Sequence, residues 1–258
     1  MFQLPETDLD ACKQAFNRVG WFIPPYVNVN YLNILARDIK ASVTTFDQRK
    51  LAGVLASIYS SSHLAAMVNQ RYPITPCISE YKEIISEAVE AHFLGLDHAA
   101  VSALLPVIEG AGRKLASDRS IQIASIKTLF TALATDCKDE SKSKNIGAVG
   151  EIASMMDSFI EFAKCHLYIQ SDTYALSDKT NRHGILHGAY TDSDYGEPIN
   201  FFKSIAAVDF LCFVASFRVR LPCLAPDPTP ACEALAAHYV ECGKLRANRP
   251  KIGATTRG

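Results

Sequence analysis

Apolar residues recur every three to four positions along most of the chain, which is the pattern of helices that bury one face. The clearest stripe lies in residues 98–117 and consists of Val101, Leu104, Leu105, Ile108 and Leu115. Comparable stripes occupy residues 79–96 and 145–168. The same spacing predicts further helices over residues 7–19, 28–40, 46–70, 121–137, 174–187, 198–218 and 229–243. No stretch alternates apolar and polar residues between turn signals as a strand would, so we expect an all-α chain.

Proline residues and polar clusters divide this helical pattern. Two prolines in residues 72–76 separate an expected N-terminal helical layer, residues 1–76, from an expected helical bundle in residues 77–220. The polar run DESKSKN, residues 139–145, predicts a loop between two helices of the bundle. Residues 221–258 are expected to form a Pro-rich segment, a short helix and a flexible basic tail that begins at Lys244.

The composition is that of an ordinary globular protein, with 48% hydrophobic and 21% charged residues. A formal net charge of -1 gives the whole surface no general attraction for nucleic acid or anionic membranes. An RNA substrate would therefore have to bind a local patch. We find no basic and apolar leader and no run of about 18 apolar residues, so a cytoplasmic protein without a membrane span is expected.

The eight cysteines are scattered along the chain and include no C-x-x-C pair. Small secreted scaffolds carry more cysteine per residue, and structural zinc sites usually need close cysteine pairs. We therefore expect reduced, partly buried thiols rather than disulfides or a zinc finger.

The segment richest in reactive side chains is NRHGILHG, residues 181–188, which places Arg182 beside His183 and His187. Histidine exchanges protons near neutral pH, and arginine can hold a phosphate oxygen with two N–H groups. RNA cleavage of this kind uses three groups: a base that activates the ribose 2′-hydroxyl, an acid that protonates the leaving 5′-oxygen, and a guanidinium that balances charge on the phosphorane. Because this chemistry needs no metal ion, no metal or other cofactor is expected.

The spacing of these residues restricts how they can meet. Five residues of a regular helix turn through about 500°, so Arg182 and His187 would lie about 140° apart on it. His183 and His187, four residues apart, would share a face. Arg182 and His187 can converge if the motif ends a helix, which Gly188 favours, or if two copies meet across a symmetric interface. The second option predicts a homodimer.

The motif resembles the signature of HEPN domains, in which an arginine and a polar residue precede a histidine, as Arg182, His183 and His187 do here. The following DYGEPINFFKSIAAVDFL and the earlier LLPVIEGAGRKL resemble a bacterial HEPN-like group, and the likeness covers residues 77–220. The second segment places Glu109 and Arg113 near the site. Membership would imply a HEPN-like helical bundle with metal-independent endoribonuclease activity, acting as a dimer in toxins or defence systems.

Other residues are expected to support the site. Asn181 either caps a helix or contacts phosphate, and Glu109 pairs either with Arg113 one turn on or with Arg182. Tyr190 and Tyr195, together with nearby aspartates, are expected to form a loop over the site. Lys203 and Asp209 are interpreted as structural.

Three functions fit these residues. The first is an endoribonuclease of defence or toxin type that leaves a 2′,3′-cyclic phosphate on RNA and works with an antitoxin or defence-system partner. The second is a non-catalytic helical module that dimerises and docks a partner. The third is a metal-dependent phosphohydrolase, whose ligands would be His183, His187, Asp192 and Asp194. Arg182 counts against the third because its charge would repel a cation.

Overall fold

The computed structural model describes residues 8–42, 46–219, 221–222 and 224–248, and the regular elements within these residues are all helical. The all-α prediction is therefore confirmed. The α-helices are α1 (Asp8–Arg18), α2 (Val29–Ala41), α3 (Gln48–Ile58), α4 (Ser61–Ala66), α5 (Lys82–Phe93), α6 (Asp97–Asp118), α7 (Ile126–Lys144), α8 (Val149–Phe162), α9 (Arg182–Leu186), α10 (Pro198–Ser216) and α11 (Pro230–Ala247). Short π-helical segments extend α4 over Met67–Arg71 and α8 over Ala163–Leu167.

The helix predicted over residues 46–70 is two helices. The backbone of Tyr59 leaves the helical region at the end of α3, and the Ser60 hydroxyl then accepts the His63 N–H to begin α4. A serine that caps in this way is a helix start that the apolar periodicity does not register. The chain bends by 52° at this break.

The loop predicted over residues 139–145 is wrong, because α7 continues through it to Lys144. Asn145 ends the helix in the left-handed conformation, with φ 51°. The polar run remains helical because it has one buried edge: Ser141 is fully buried and Glu140 forms ion pairs with Arg119, Arg218 and Lys144. The other polar residues of this run up to Lys144 thus form an exposed face of α7 and not a loop.

The helix predicted over residues 174–187 is also largely wrong, since regular helix is confined to α9. Residues 174–181 are held in a compact turn in which the Asp178 carboxylate accepts hydrogen bonds from Tyr174 and Thr180. Lys179 within it has a positive φ of 53°. Side chains that bond to nearby backbone in this way compete with helix formation.

Helix α10 lies at the centre of the fold, and its residues from Ile199 to Ser216 are all buried. It packs against α6, α3 and α7, and Phe210 stacks on Phe159 of α8 with ring centroids 3.6 Å apart. By length and composition α10 is apolar enough to cross a membrane, although we expected no such segment, but that stretch is entirely buried within the fold. The sequence of α10 contains the charged residues Lys203 and Asp209, so it is not an unbroken apolar run.

The N-terminal helices share this core. Trp21, Phe22 and Ile23, which follow α1, are buried, and the Phe22 ring contacts Phe159 and Phe162. One hydrophobic cluster thus includes residues on both sides of residue 76. The division into an N-terminal layer and a HEPN-like bundle stays a prediction.

The C-terminal region differs from its prediction in length. The described residues between 221 and 229 contain no helix or strand, as the prolines predicted, but α11 runs to Ala247. The predicted tail is therefore wrong for residues 244–247, while residues 249–258 lie outside the described part of the chain. The described cysteines are free, as expected: Cys12, Cys77, Cys137, Cys165, Cys212, Cys232 and Cys242.

Candidate active site

Asn181 fixes the start of the short helix α9. Its side-chain oxygen accepts the Gly184 N–H at 2.8 Å, which makes it the N-terminal cap. Its side-chain nitrogen donates to the carbonyls of His166 and Ile169 at 3.0 and 2.8 Å. The side chain is fully buried, and both its oxygen and its nitrogen are engaged in these hydrogen bonds. Asn181 therefore positions the site and does not reach a phosphate.

A buried ion pair lies below this cap. Lys203 Nζ on α10 is 2.9 Å from the Asp178 carboxylate, and neither side chain is exposed to solvent. Lys203 also donates to Gln48, and Asn200 donates to the Asp178 carbonyl. Burial opposes ionisation of Asp178, but the charge of Lys203 and the hydrogen bonds to the carboxylate lower its pKa. Through this pair Lys203 holds the turn from which α9 begins.

Arg182 and His187 meet within one chain. The Nη1 atom of Arg182 lies 2.7 Å from Nε2 of His187. Helix α9 ends at Leu186 and His187 is its C-terminal cap, with φ -97° and ψ 5°, so the angular offset of a regular helix no longer applies at that residue. Gly188 then takes a positive φ of 69°. The first of the two predicted arrangements, a motif at a helix end, is therefore the observed one.

Glu109 on α6 holds the other side of the Arg182 guanidinium. Its two carboxylate oxygens lie 2.5 Å from Nε and 3.3 Å from Nη2 of Arg182. Both side chains are mostly buried, with 18% of Arg182 and 14% of Glu109 exposed. Arg113 is exposed and forms no ion pair within the described residues. Glu109 thus pairs with Arg182, which was one of the two expected pairings.

His183 lies beneath His187, with the two rings stacked at a centroid distance of 5.6 Å. The Nε2 atom of His183 is buried, whereas His187 is exposed. The position of His183 suits it to orient the His187 ring, and it suits direct contact with a large substrate less well.

Tyr168 is a member of the site that sequence reasoning missed. Its ring packs against Phe130 and meets His183 edge-on at 6.5 Å. Burial, followed by the negative charge of Glu109, raises the pKa of its hydroxyl well above the ordinary value. Tyr168 is the last residue of the segment 145–168 that carries an apolar stripe, so its sequence context resembles that of a core residue. Only the packing places its hydroxyl near Glu109.

The loop after α9 covers one edge of the site. The ring of Tyr190 lies directly over Gly184, where a side chain would overlap it, and its hydroxyl donates to the Ser171 carbonyl at 3.0 Å. Tyr195 packs against His98 on α6, with ring centroids 4.7 Å apart. His98 is therefore an anchor of this loop. No sequence motif identified it.

The metal-ligand set suggested by the sequence is not assembled. Within the described residues, His183, His187, Asp192 and Asp194 do not bring three ligand atoms within 4.8 Å of one another. The Asp194 carboxylate instead accepts hydrogen bonds from the backbone and the hydroxyl of Thr191. The Asp194 carboxylate is thus bound within its own turn and not to the two histidines.

Comparison with known proteins identifies no relative: no family model, curated protein or solved structure matches the chain. The likeness to HEPN domains stays a prediction that rests on the motif residues. The geometry supplies an exposed imidazole, a guanidinium in contact with it and a carboxylate that fixes the guanidinium. These groups can transfer a proton and balance negative charge on the same substrate.

Proposed function

We propose that the chain is a metal-independent endoribonuclease that uses Arg182 and His187. The observation that carries the proposal is the 2.7 Å contact between Arg182 Nη1 and His187 Nε2, with Glu109 fixing the guanidinium from behind. Because an arginine N–H can only donate, His187 Nε2 accepts in this contact and carries no proton, and its electron pair becomes available to a ribose hydroxyl when that N–H turns to the substrate phosphate. An imidazole in this form can act as a general base.

In this reaction the 2′-hydroxyl of a ribose gives its proton to His187 Nε2 and its oxygen attacks the adjacent phosphorus. The bond between phosphorus and the 5′-oxygen then breaks, the leaving oxygen takes a proton from water at the exposed edge of the site, and the hydroxide so formed takes up the proton held by His187. The products are a 2′,3′-cyclic phosphate and a free 5′-hydroxyl. Arg182 balances the charge of the phosphorane, because its guanidinium has N–H groups that the contacts to Glu109 and His187 leave unused.

The remaining residues position these two. His183 supports the His187 ring, Asn181 sets the start of α9, and Tyr190 closes the loop over Gly184. Tyr195 acts through His98 on α6, the helix that also carries Glu109. Arg113 is exposed one turn beyond Glu109 and is available to an RNA phosphate.

A second candidate is the non-catalytic interaction module. It is favoured by the three contacts of Arg182, which are also those of a structural ion pair that joins α9 to α6. In that case Arg182 would stabilise the fold and the exposed His187 would do no chemistry. A measurement of RNA cleavage distinguishes the nuclease from the interaction module.

Assembly is a separate part of the proposal. Arg182 and His187 meet within one chain, so the geometric reason to require a second copy is gone. A homodimer and an antitoxin or defence-system partner remain proposals that rest on the resemblance to HEPN domains. Light scattering of the purified protein at micromolar concentration tests the dimer independently of any cleavage.

The decisive experiment compares cleavage of a single-stranded RNA by the wild-type chain, Arg182→Ala and His187→Ala, in the presence of EDTA. Each loss should lower cleavage by about 10²–10⁴-fold, since both groups act mainly in the transition state. The substrate should stay intact when its 2′-hydroxyl is replaced by hydrogen. Arg182→Lys should be nearly as damaging, because it keeps the charge and loses the planar fork.

Arg37→Ala is the matched control, because Arg37 is an exposed arginine of α2 outside the site. It should cleave like the wild type, and all variants should show equal helicity and cooperative melting. If the wild-type chain cleaves nothing, or if all variants cleave alike, the interaction module replaces the nuclease.

A further inference from the structure

Three side chains of different chemistry converge between α5 and α11, away from the candidate active site. Glu90 belongs to α5, and His238 and Cys242 lie one turn apart on α11. One ligand atom from each lies within 4.8 Å of the other two. Residues at positions i and i+4 share a helix face, so α11 presents its imidazole and its thiol to α5 together.

Two of the three distances between these atoms match those of a metal shell. The His238 Nε2 atom is 3.4 Å from the nearer Glu90 oxygen and 3.5 Å from Cys242 Sγ. In a tetrahedral site with ordinary zinc bond lengths, an N–O edge is about 3.3 Å and an N–S edge is about 3.6 Å. A neutral N–H···O hydrogen bond would bring the first pair closer, to about 2.9–3.0 Å.

The position of His238 Nε2 strengthens this argument. One imidazole nitrogen faces both a carboxylate and a thiol, but with a proton it can only donate and without one it can only accept. A cation between the three atoms would satisfy all of them at once. The thiol is buried, whereas His238 and Glu90 are about half exposed, so an ion could enter from solvent.

The two helices are already held in place beside these ligands. The ring of Tyr239 on α11 stacks on Phe93 of α5, with centroids 4.7 Å apart and planes 14° apart. This contact fixes the helices next to His238 and one turn from Glu90. The ligand backbones are thus positioned without the ion.

We propose that Glu90, His238 and Cys242 form a zinc site that fastens α11 to α5. A thiolate, an imidazole and a carboxylate are a ligand set that zinc accepts, and a water molecule completes the fourth position. The cysteine spacing did not reveal this site because only one of its ligands is a cysteine and the third ligand comes from a distant helix. The zinc site does not depend on the proposed nuclease, whose activity should persist in EDTA.

The test uses the full chain without a histidine tag, stripped with EDTA, desalted and titrated with Co²⁺ and then with Zn²⁺. One equivalent of Co²⁺ should produce a thiolate-to-cobalt band in the near ultraviolet, and one equivalent of Zn²⁺ should remove it. Zn²⁺ should raise the melting temperature and protect the amides of α11 from hydrogen exchange. Cys242→Ser and Glu90→Gln should each weaken Zn²⁺ binding by at least about 100-fold.

Cys165→Ser is the matched control, because Cys165 is an exposed cysteine outside this cluster. It should keep the cobalt band and the rise in melting temperature. Absence of the band at one equivalent of Co²⁺, or an equal band in Cys242→Ser, would overturn the proposal. Since Glu90 is half exposed, Glu90→Gln should fold normally and give a second reading if Cys242→Ser is unstable.

Discussion

Asp178 and Arg182, four residues apart, form ion pairs with residues of α10 and α6 respectively. The two pairs, Lys203–Asp178 and Arg182–Glu109, differ in exposure and in partners. The Lys203–Asp178 pair has no exposed side-chain surface, and its other partners are Thr180, Tyr174 and Gln48. The Arg182–Glu109 pair keeps 18% and 14% of its side chains exposed and extends to the exposed His187. The first pair is sealed within the fold, whereas the second opens to solvent.

This difference separates a structural role from a chemical one. A buried pair with all its partners inside the protein can only hold the chain, and its loss leaves an unpaired charge in the interior. A partly exposed guanidinium with unused N–H groups and an imidazole beside it can also bind and transform a substrate. We therefore expect Lys203 and Asp178 to govern stability and Arg182 and Glu109 to govern activity.

The largest expected effect is on the buried pair. Lys203→Met removes one charge and leaves the Asp178 carboxylate unpaired, so the free energy of unfolding should fall by about 3–5 kcal/mol. Denaturant unfolding followed by circular dichroism measures it. Lys164→Met, at an exposed lysine, should change this free energy by less than about 0.5 kcal/mol.

A double substitution sharpens this first prediction. Asp178→Asn combined with Lys203→Met removes both charges, so it should recover part of the stability lost in Lys203→Met. If Lys203→Met is as stable as the wild type, the buried pair does not govern stability and the contrast between the two ion pairs is wrong.

The second prediction concerns the partly exposed pair. Glu109→Gln keeps the size of the side chain and removes the charge that fixes Arg182. We expect the free energy of unfolding to fall by only about 1–2 kcal/mol, whereas RNA cleavage falls by up to about 100-fold because the guanidinium loses its position. Equilibrium unfolding and single-turnover cleavage give the two values. A large loss of stability with unchanged cleavage would assign Glu109 to the fold alone.

The sequence predicted the helical class and the core faces because apolar periodicity records burial directly. The stripe of α6, for example, is buried at Val101, Leu104 and Leu105 as expected. Apolar periodicity failed to predict helix ends where a polar side chain fixes the conformation of the local backbone, as at Ser60 and Asp178. A hydrogen bond from a neighbouring N–H to such a side chain leaves no periodic signal in the sequence.

The site could be predicted only in part for a similar reason. Arg182, His183 and His187 are adjacent in sequence, so a motif could identify them. Tyr168 and His98 reach the site through tertiary packing, which one sequence does not record. Glu109 is intermediate, because the resemblance placed it near the site but only the structure chose Arg182 over Arg113 as its partner.

The third prediction tests the packing that holds α9. A Cβ atom at Gly184 would overlap the Tyr190 ring, so Gly184→Ala should displace the loop and lower the free energy of unfolding by about 1–3 kcal/mol. Combining it with Tyr190→Ser should restore part of the loss. Gly53→Ala is the control, because a Cβ there meets no other atom within 4 Å. If Gly184→Ala is harmless, Tyr190 does not fix the loop over the site.

The smallest expected effect is a pH dependence that belongs to the buried pair. Burial opposes ionisation of Asp178, but the charge of Lys203 and the hydrogen bonds to the carboxylate together lower its pKa below the ordinary value of 3.8. The unfolded chain therefore binds a proton at this residue more readily than the folded chain does, and stability rises with pH in this range. The contribution is fully present above about pH 4 and is lost as the pH falls through the lowered folded pKa. Unfolding free energies measured from neutral pH down to this range should decline more steeply for the wild type than for Asp178→Asn. Parallel profiles would mean that the pKa of Asp178 is the same in the folded and unfolded chain, and the contrast between the two pairs would then rest on exposure alone.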